Sequence, residues 1–205
     1  MKDSYKTILF ASEETLFKEK GSKFFGYAFP VSNEDEIKSI LAHLRKQHPN
    51  AGHFCYAWQL GFDPIRFRVN DDGEPNNSAG LPIYGQLQSF EVTNIMVVSV
   101  RYFGGVKLGV GGLIKAYKHS AHITLNGAHI VEKTIDVMYR LSFGYDLMNK
   151  VMQIIKVKNL KIVHQKLEIN CLLTIKVRKK EANSVFTLLN SLYRMEIEKV
   201  ESNRF

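Results

Sequence analysis

Ile95-Met96-Val97-Val98-Ser99-Val100-Arg101-Tyr102-Phe103-Gly104-Gly105-Val106-Lys107-Leu108-Gly109-Val110-Gly111-Gly112-Leu113 is the stretch on which the fold turns. Asn94–Tyr102, around its first half, is a nearly continuous apolar run, the pattern of a strand buried on both faces. Leu113–Asn126 reads as a helix, with Gly127 as its C′ residue. Strand, glycine loop and helix N-terminus together make a recipe for an anion site. Glycines let a ligand approach, free N–H groups point at it, and the helix dipole adds partial positive charge. Arg101, Lys107 and Lys115 would add full charges to the amides of Gly104, Gly105, Gly109, Gly111 and Gly112. No Gly-Lys-Ser/Thr ends the loop, and Gly-x-Gly-x-x-Gly does not stand in a Rossmann context, so neither nucleotide motif applies. A tight connection using positive φ at several glycines accounts for the same residues without a ligand.

Upstream, Asp71–Gly80 consists of turn formers and must be a loop. Asp71-Asp72-Gly73-Glu74-Pro75 sets three carboxylates within four residues, which repel unless a cation or a basic group sits among them. Oxygens of that kind suit a hard cation, so Asp71, Asp72 and Glu74 are candidates for Mg²⁺. Asp-Gly and Glu-Pro are equally ordinary turn chemistry, and EF-hand spacing is absent. Leu81-Pro82-Ile83 starts a helix with Pro82 near its first position. His53–Gly61 and Ile65–Val69 read as a strand pair, on which His53 and Cys55 share a face. Nothing in the sequence identifies a third group to orient a Cys–His nucleophile. A histidine hydrogen-bonded to the acidic loop is the better expectation. Earlier still, Phe24–Val31 reads as a strand. Ser32 or Asn33 then caps a helix carrying Ile37, Ile40, Leu41 and Leu44, and His48-Pro49 stops it.

Downstream the periodicity changes near residue 132. Val137, Tyr139, Leu141, Phe143 and Tyr145 alternate as a half-buried strand does. A helix, two strands, a second helix and a last strand follow, which gives the βαββαβ order of a ferredoxin-like unit. The expected division is 1–131 and 132–205, an α+β protein of two domains. Net charge is +8, and residues 131–205 carry 14 Lys+Arg against 8 Asp+Glu. A basic module of that kind suits a polyanion such as RNA. Strand alternation turns Arg140, Lys176 and Arg178 outward as the RNA-contact candidates, on a face expected to be basic and polar. The face lacks the paired aromatics that stack bases, so phosphate-backbone contact is the expected mode. The two cysteines, Cys55 and Cys171, are assigned to different domains, which fits reduced thiols and a cytoplasmic location. No apolar run approaches the roughly 20 residues that cross a bilayer, and the polar N-terminus does not read as a signal peptide.

Three sets of residues carry a family resemblance. They are Ala51-x-His53-x-Cys55-x-Ala57, Asp71-Asp72-Gly73-Glu74-Pro75-x-x-x-Ala79-Gly80-x-Pro82-Ile83, and Arg101-Tyr102-Phe103-Gly104-Gly105-x-Lys107-Leu108-Gly109-x-Gly111-Gly112-Leu113-x-x-Ala116-Tyr117. Together they resemble the YigZ/Impact family. The resemblance implies an N-terminal α/β domain like that of ribosomal protein S5, followed by a ferredoxin-like domain. The pairing is similar to late domains of elongation factor G, which fits a ribosome or RNA partner. It also implies translation regulation, which eukaryotic members perform through an additional recognition domain not expected here. Where the family has Ser-Gly-Thr after Glu-Pro, this chain has Asn76-Asn77-Ser78. The leading expectation is a translation-associated protein that binds RNA or the ribosome without catalysis. The alternatives are a small-molecule enzyme of phosphate- or metal-assisted type, using the acidic and glycine loops, and an adaptor for a translation-related protein.

Overall fold

The computed structural model describes residues 3–200; Met1 and Lys2, at the head of the polar N-terminus, and residues 201–205 lie outside the described residues. The described residues divide into two units, Tyr5–Lys133 and a second made by residues 134–200 with residues 3 and 4.

In the first unit, β1 (Ser4–Ile8) pairs with β7 (Ile130–Thr134). The main sheet contains β2 (Thr15–Glu19), β3 (Ser22–Pro30), β4 (His53–Leu60), β5 (Arg66–Asn70) and β6 (Ile95–Tyr102), in the order β2-β3-β6-β4-β5. Every pairing in it is antiparallel. The apolar run is therefore the central strand, and it is buried along nearly its whole length. An antiparallel strand of this kind usually leaves one face in water. Here helices cover both faces. Ile95 and Val97 join Cys55 and Ala57 beneath α2 (Gly80–Ser89) and α3 (Gly109–Gly127). Met96, Val98 and Val100 join Phe54, Tyr56 and Trp58 beneath α1 (Glu34–Gln47).

The helix ends follow from local chemistry. Asn33, rather than Ser32, caps α1 by accepting the N–H groups of Asp35 and Glu36, while Glu36 reaches back to Ser32. Pro82 lies in the first turn of α2, where its missing N–H is not needed. Helix α3 differs from the expectation at both ends. It begins at Gly109, so three glycines of the loop form its first turn. Gly127 is its last helical residue, and the extended Ala128 ends it. Glycine permits the left-handed turn at such an end but does not compel it.

At the C-terminus of α1, His48 is buried in a chain of hydrogen bonds. Tyr27 donates its hydroxyl proton to the Glu14 carboxylate. With Nε2–H of His48 donating to the Tyr27 oxygen at 2.6 Å, Nδ1 is left to accept from the Tyr102 hydroxyl at 3.0 Å. A neutral imidazole satisfies every link, and burial holds His48 below the usual histidine range against a partial opposing pull from Glu14. On the other face of the sheet, Gly26 lets α3 approach β3. Thr15 and Thr124 hydrogen-bond at 2.7 Å across it. A Cβ there would lie 2.0 Å from Thr124 Oγ1 and 2.6 Å from Thr15 Oγ1.

The second unit runs β8 (Asp136–Gly144), α4 (Met148–Val157), β9 (Lys161–Lys166), β10 (Asn170–Arg178), α5 (Ala182–Asn190) and β11 (Glu196–Val200). Its antiparallel sheet has the order β11-β8-β10-β9. Tyr139, Leu141, Phe143, Leu173 and Ile175 form a core with Val151, Ile155, Val185 and Leu189 of the helices. The alternation stops one step early. Tyr145 belongs to a 3₁₀ turn leading into α4 and is 66% exposed. Cys55 and Cys171 are buried free thiols, one in each unit. Among the described residues no helix is long and apolar enough to cross a membrane.

Two predictions follow from this packing. Gly26→Ala destabilises the protein by about 1–3 kcal/mol, because the methyl group must displace two mutually bonded threonines; urea denaturation reads the change. A depressed histidine pKa means that the unfolded chain takes up its proton first as pH falls. The His48 contribution is thus complete above about pH 6.5 and declines as pH falls from there toward the folded-state value. Melting temperatures between pH 7.5 and 5 register this decline, which is smaller in His48→Gln.

A buried ion pair beneath the acidic and glycine loops

Arg101 ends β6, opposite His53 at the start of β4. The acidic turn folds over this end of the sheet. Arg101 Nη1 donates to Glu74 Oε1 at 2.6 Å, and the Tyr117 hydroxyl of α3 donates to the same oxygen at 2.7 Å. Arg101 Nη2 donates to Ser22 Oγ at 3.2 Å, and Ser22 Oγ also accepts Gly104 N–H at 3.3 Å. Only 6% of the arginine side chain and 4% of the glutamate side chain remain exposed. The guanidinium carbon lies 5.6 Å from the Phe24 ring centroid and 5.7 Å from that of Phe103. The cation that three crowded carboxylates require is therefore, for Glu74, an arginine of the protein itself.

The other two acids turn elsewhere. Asp71 Oδ1 accepts the N–H groups of Ala79 and Gly80 at 2.9 and 2.8 Å, and its Oδ2 accepts Asn77 N–H at 2.8 Å. It thereby caps α2, whose own Ncap, Ala79, makes no side-chain bond. Asp72 Oδ2 accepts Phe54 N–H at 2.7 Å, and Oδ1 pairs with Arg45 at 2.9 Å. The expected oxygen cage of Asp71, Asp72 and Glu74 for Mg²⁺ is corrected accordingly, because each carboxylate serves a different donor set. Among the described residues no group of three or more His, Cys, Asp or Glu side chains is placed to hold a metal ion.

His53 bonds the acidic loop as expected, with Nδ1 2.9 Å from the Asp72 carbonyl. A carbonyl only accepts, so Nδ1 carries the proton and Nε2 faces Glu74 Oε1 at 3.8 Å. Cys55 donates its thiol to the Asp71 carbonyl at 3.0 Å. Burial pushes its pKa well above the usual thiol range, the opposite of what a nucleophilic thiolate needs. Burial likewise raises the Tyr117 hydroxyl, which therefore acts as a donor to Glu74.

The departure at Asn76-Asn77-Ser78 is accommodated. Asn77 adopts φ 64° where the family has glycine, a conformation asparagine tolerates better than most residues. Ser78 supplies a hydroxyl, donating to the Pro75 carbonyl at 2.6 Å.

The glycines divide by role. Gly104 crosses the β2–β3 turn so closely that a Cβ would lie 1.9 Å from the Gly21 carbonyl carbon. Gly105 and Gly109 alone in the loop have positive φ, 85° and 70°. Gly111 and Gly112 are helical. Lys107 and Lys115 are exposed, whereas Arg101 is withdrawn into the interior and is not free to bind an anion. His53, Asp72, Glu74, Arg101 and Gly104 thus come together, while Lys107, Lys115, Gly109 and Gly111 stand outside on exposed surface. Sequence reasoning did not single out Ser22 or Tyr117 as partners of this cluster. Tyr117 lay within the family motif; nothing marked Ser22.

In the second unit the outer sheet face is less basic than expected. Arg140 lies 3.7 Å from Glu198, Lys176 3.0 Å from Asp136, and Arg178 2.7 Å from Asp3. Strand register delivers these acids, since Glu198 pairs with Arg140 and Asp136 with Arg178.

Residues 20–125 match the Impact N-terminal domain. The IMPACT family member YvyE of Bacillus subtilis is 37% identical over 151 residues, covering 74% of this chain and 69% of that protein. An IMPACT family member of Haemophilus influenzae is 31% identical over 172 residues, covering 80% and 82%. The crystal structure of a hypothetical protein superposes with a TM-score of 0.73 at 26% identity, over 99% of this chain and all of that one.

Arg101→Met leaves Glu74 buried without its counterion and lowers stability by about 3–5 kcal/mol. Adding Glu74→Gln restores part of the loss, giving a coupling of about 0.5–3 kcal/mol in a double-mutant cycle read by urea denaturation.

Proposed function

The chain belongs to the Impact family, and on that premise we propose that it is a translation-associated regulatory protein of the cytoplasm that binds RNA or the ribosome. The observation that carries the RNA half is an acid-free, lysine-rich run of the second unit, flanked at its end by the Lys166–Glu168 pair at 3.2 Å. No Asp or Glu occurs between Asp146 and Glu168, while Lys150, Lys156, Lys158 and Lys161 are exposed along α4 and its connection to β9. These lysines offer point charges to a phosphate backbone. Arg140, Lys176 and Arg178 belong to the same unit, but a phosphate must compete with the carboxylate already beside each. Their part is secondary, and the lysines of α4 and β9 carry most of the contact. The family resemblance supports the translation half.

The test is binding of a labelled single-stranded RNA, and of ribosomes, across a salt series. Affinity falls steeply with salt, and the triple variant Lys156→Glu, Lys158→Glu, Lys161→Glu weakens it by about tenfold or more with a shallower salt slope. An unaltered affinity in that variant, or no binding by the native chain at low salt, would sink the proposal.

A further inference from the structure

The glycine loop and the start of α3 display apolar side chains to solvent. Phe103 is 56% exposed, Val106 53%, Val110 52% and Ile114 38%. Val110 and Ile114 stand four residues apart on one face of the helix, while Leu113, Ala116 and Tyr117 make its buried face. Single exposed apolar residues are unremarkable in a folded protein, but several grouped along one loop and the helix it enters fit a contact surface.

Gly111 adds a second observation. It is helical and exposed, its φ is ordinary, and a Cβ built on it meets nothing within 4 Å. Glycine is a poorer helix former than alanine, and no contact within the described residues calls for it at this position. Its open backbone leaves room for close approach by another molecule. Charge is the third observation. No Asp or Glu occurs between Glu91 and Glu132 in the sequence, although Glu19 of β2 lines a hollow together with Lys115. Lys107, Lys115 and Lys118 are exposed around the patch, and α3 has neither a side-chain cap nor an acid in its first turn.

We propose that this surface docks an acidic amphipathic helix of another protein. The partner's apolar side chains pack on Val106, Val110 and Ile114, its backbone passes closest at Gly111, and its flanking carboxylates meet Lys107, Lys115 and Lys118. The anion expected at the glycine loop is then a side-chain carboxylate. Val106, Val110 and Ile114 offer no π face to a base, and the one aromatic beside them, Phe103, already has the Arg101 guanidinium 5.7 Å from its ring centroid, so the patch is a poor platform for stacking RNA bases. A two-fold contact of the patch with itself would set lysine against lysine, which disfavours a second copy of the chain. The inference stands apart from the RNA reading, which concerns the other unit.

The experiment places p-benzoylphenylalanine at position 114 of the full chain in living cells. The same group at Lys38, exposed on α1, serves as control. Irradiation is expected to yield an adduct at position 114 whose cross-linked peptide carries net negative charge, with apolar residues at i, i+3 and i+4. Combining Lys107→Glu, Lys115→Glu and Lys118→Glu in the same chain, with its melting temperature unchanged, reduces that adduct at least tenfold. The proposal is overturned by an adduct to RNA, lipid, a second copy of the chain or a peptide without that charge and spacing. It is equally overturned by an adduct that survives the charge reversal, or by none above the Lys38 control.

Discussion

The Arg101–Glu74 pair is the constraint from which the first unit is organised. Two charges are held almost wholly out of water, and isolated charges do not tolerate that. They remain because other groups satisfy most of the set, with Tyr117 donating to the carboxylate and Ser22 accepting from the guanidinium, while Arg101 Nε is buried without a hydrogen-bond partner. Each partner comes from a different part of the chain: β6, the acidic loop, α3 and β3. A buried pair of this kind adds little net stability compared with apolar residues of the same volume. Its effect is positional. The acidic loop cannot lift from the sheet, nor α3 slide along it, without stranding a charge. The close crossing of Gly104 over Gly21 belongs to the same knot, because Ser22 bonds both Arg101 and the Gly104 amide.

That knot separates residues that stand side by side in the sequence. Asp71, Asp72 and Glu74 look like one acidic motif, yet they do three jobs: capping α2, anchoring the first residues of β4 with Arg45, and neutralising Arg101. Their mutual repulsion is relieved by divergence rather than by a shared ion. The same logic admits Asn77 and Ser78 in place of the usual Gly and Thr. One position needs only a left-handed backbone and the other only a hydroxyl.

Much of the framework was legible because it depends on periodicity. The apolar run of β6 required cover on both faces, and α1 on one side with α2 and α3 on the other provide it. Alternation in β8 and β10 identified the core of the second unit. What escaped depends on partners distant in sequence. Lys176, Arg178 and Arg140 were correctly turned outward, but the acids beside them arrive through strand register and from Asp3, which local reading does not supply. Its place beside a glycine loop makes Arg101 an anion-binding candidate, yet Glu74 and Tyr117 fold over it and bury it. Glycine-rich sequence reads as loop even where it winds into a helix, and α3 accordingly begins at Gly109 rather than Leu113.

The placement of cations then shapes what the surface can recognise. Arginine, whose planar fork suits two directed bonds, is used inside the first unit, where Arg101 bonds Glu74 and Ser22 at once. The exposed positive groups of the glycine loop and of α4 are lysines, compact charges on flexible stems. Lysines of that kind raise association rates and tolerate variation in the partner's geometry, but they read little detail by themselves. Selectivity on the α4 surface would therefore have to come from the shape of the polyanion. On α3 it would come from the aliphatic side chains and the open backbone at Gly111. Both units set exposed apolar side chains beside their lysines, Val110 and Ile114 on α3 and Met152 and Val157 on α4, so the arrangement of those side chains, and not charge sign alone, decides which partner each surface takes.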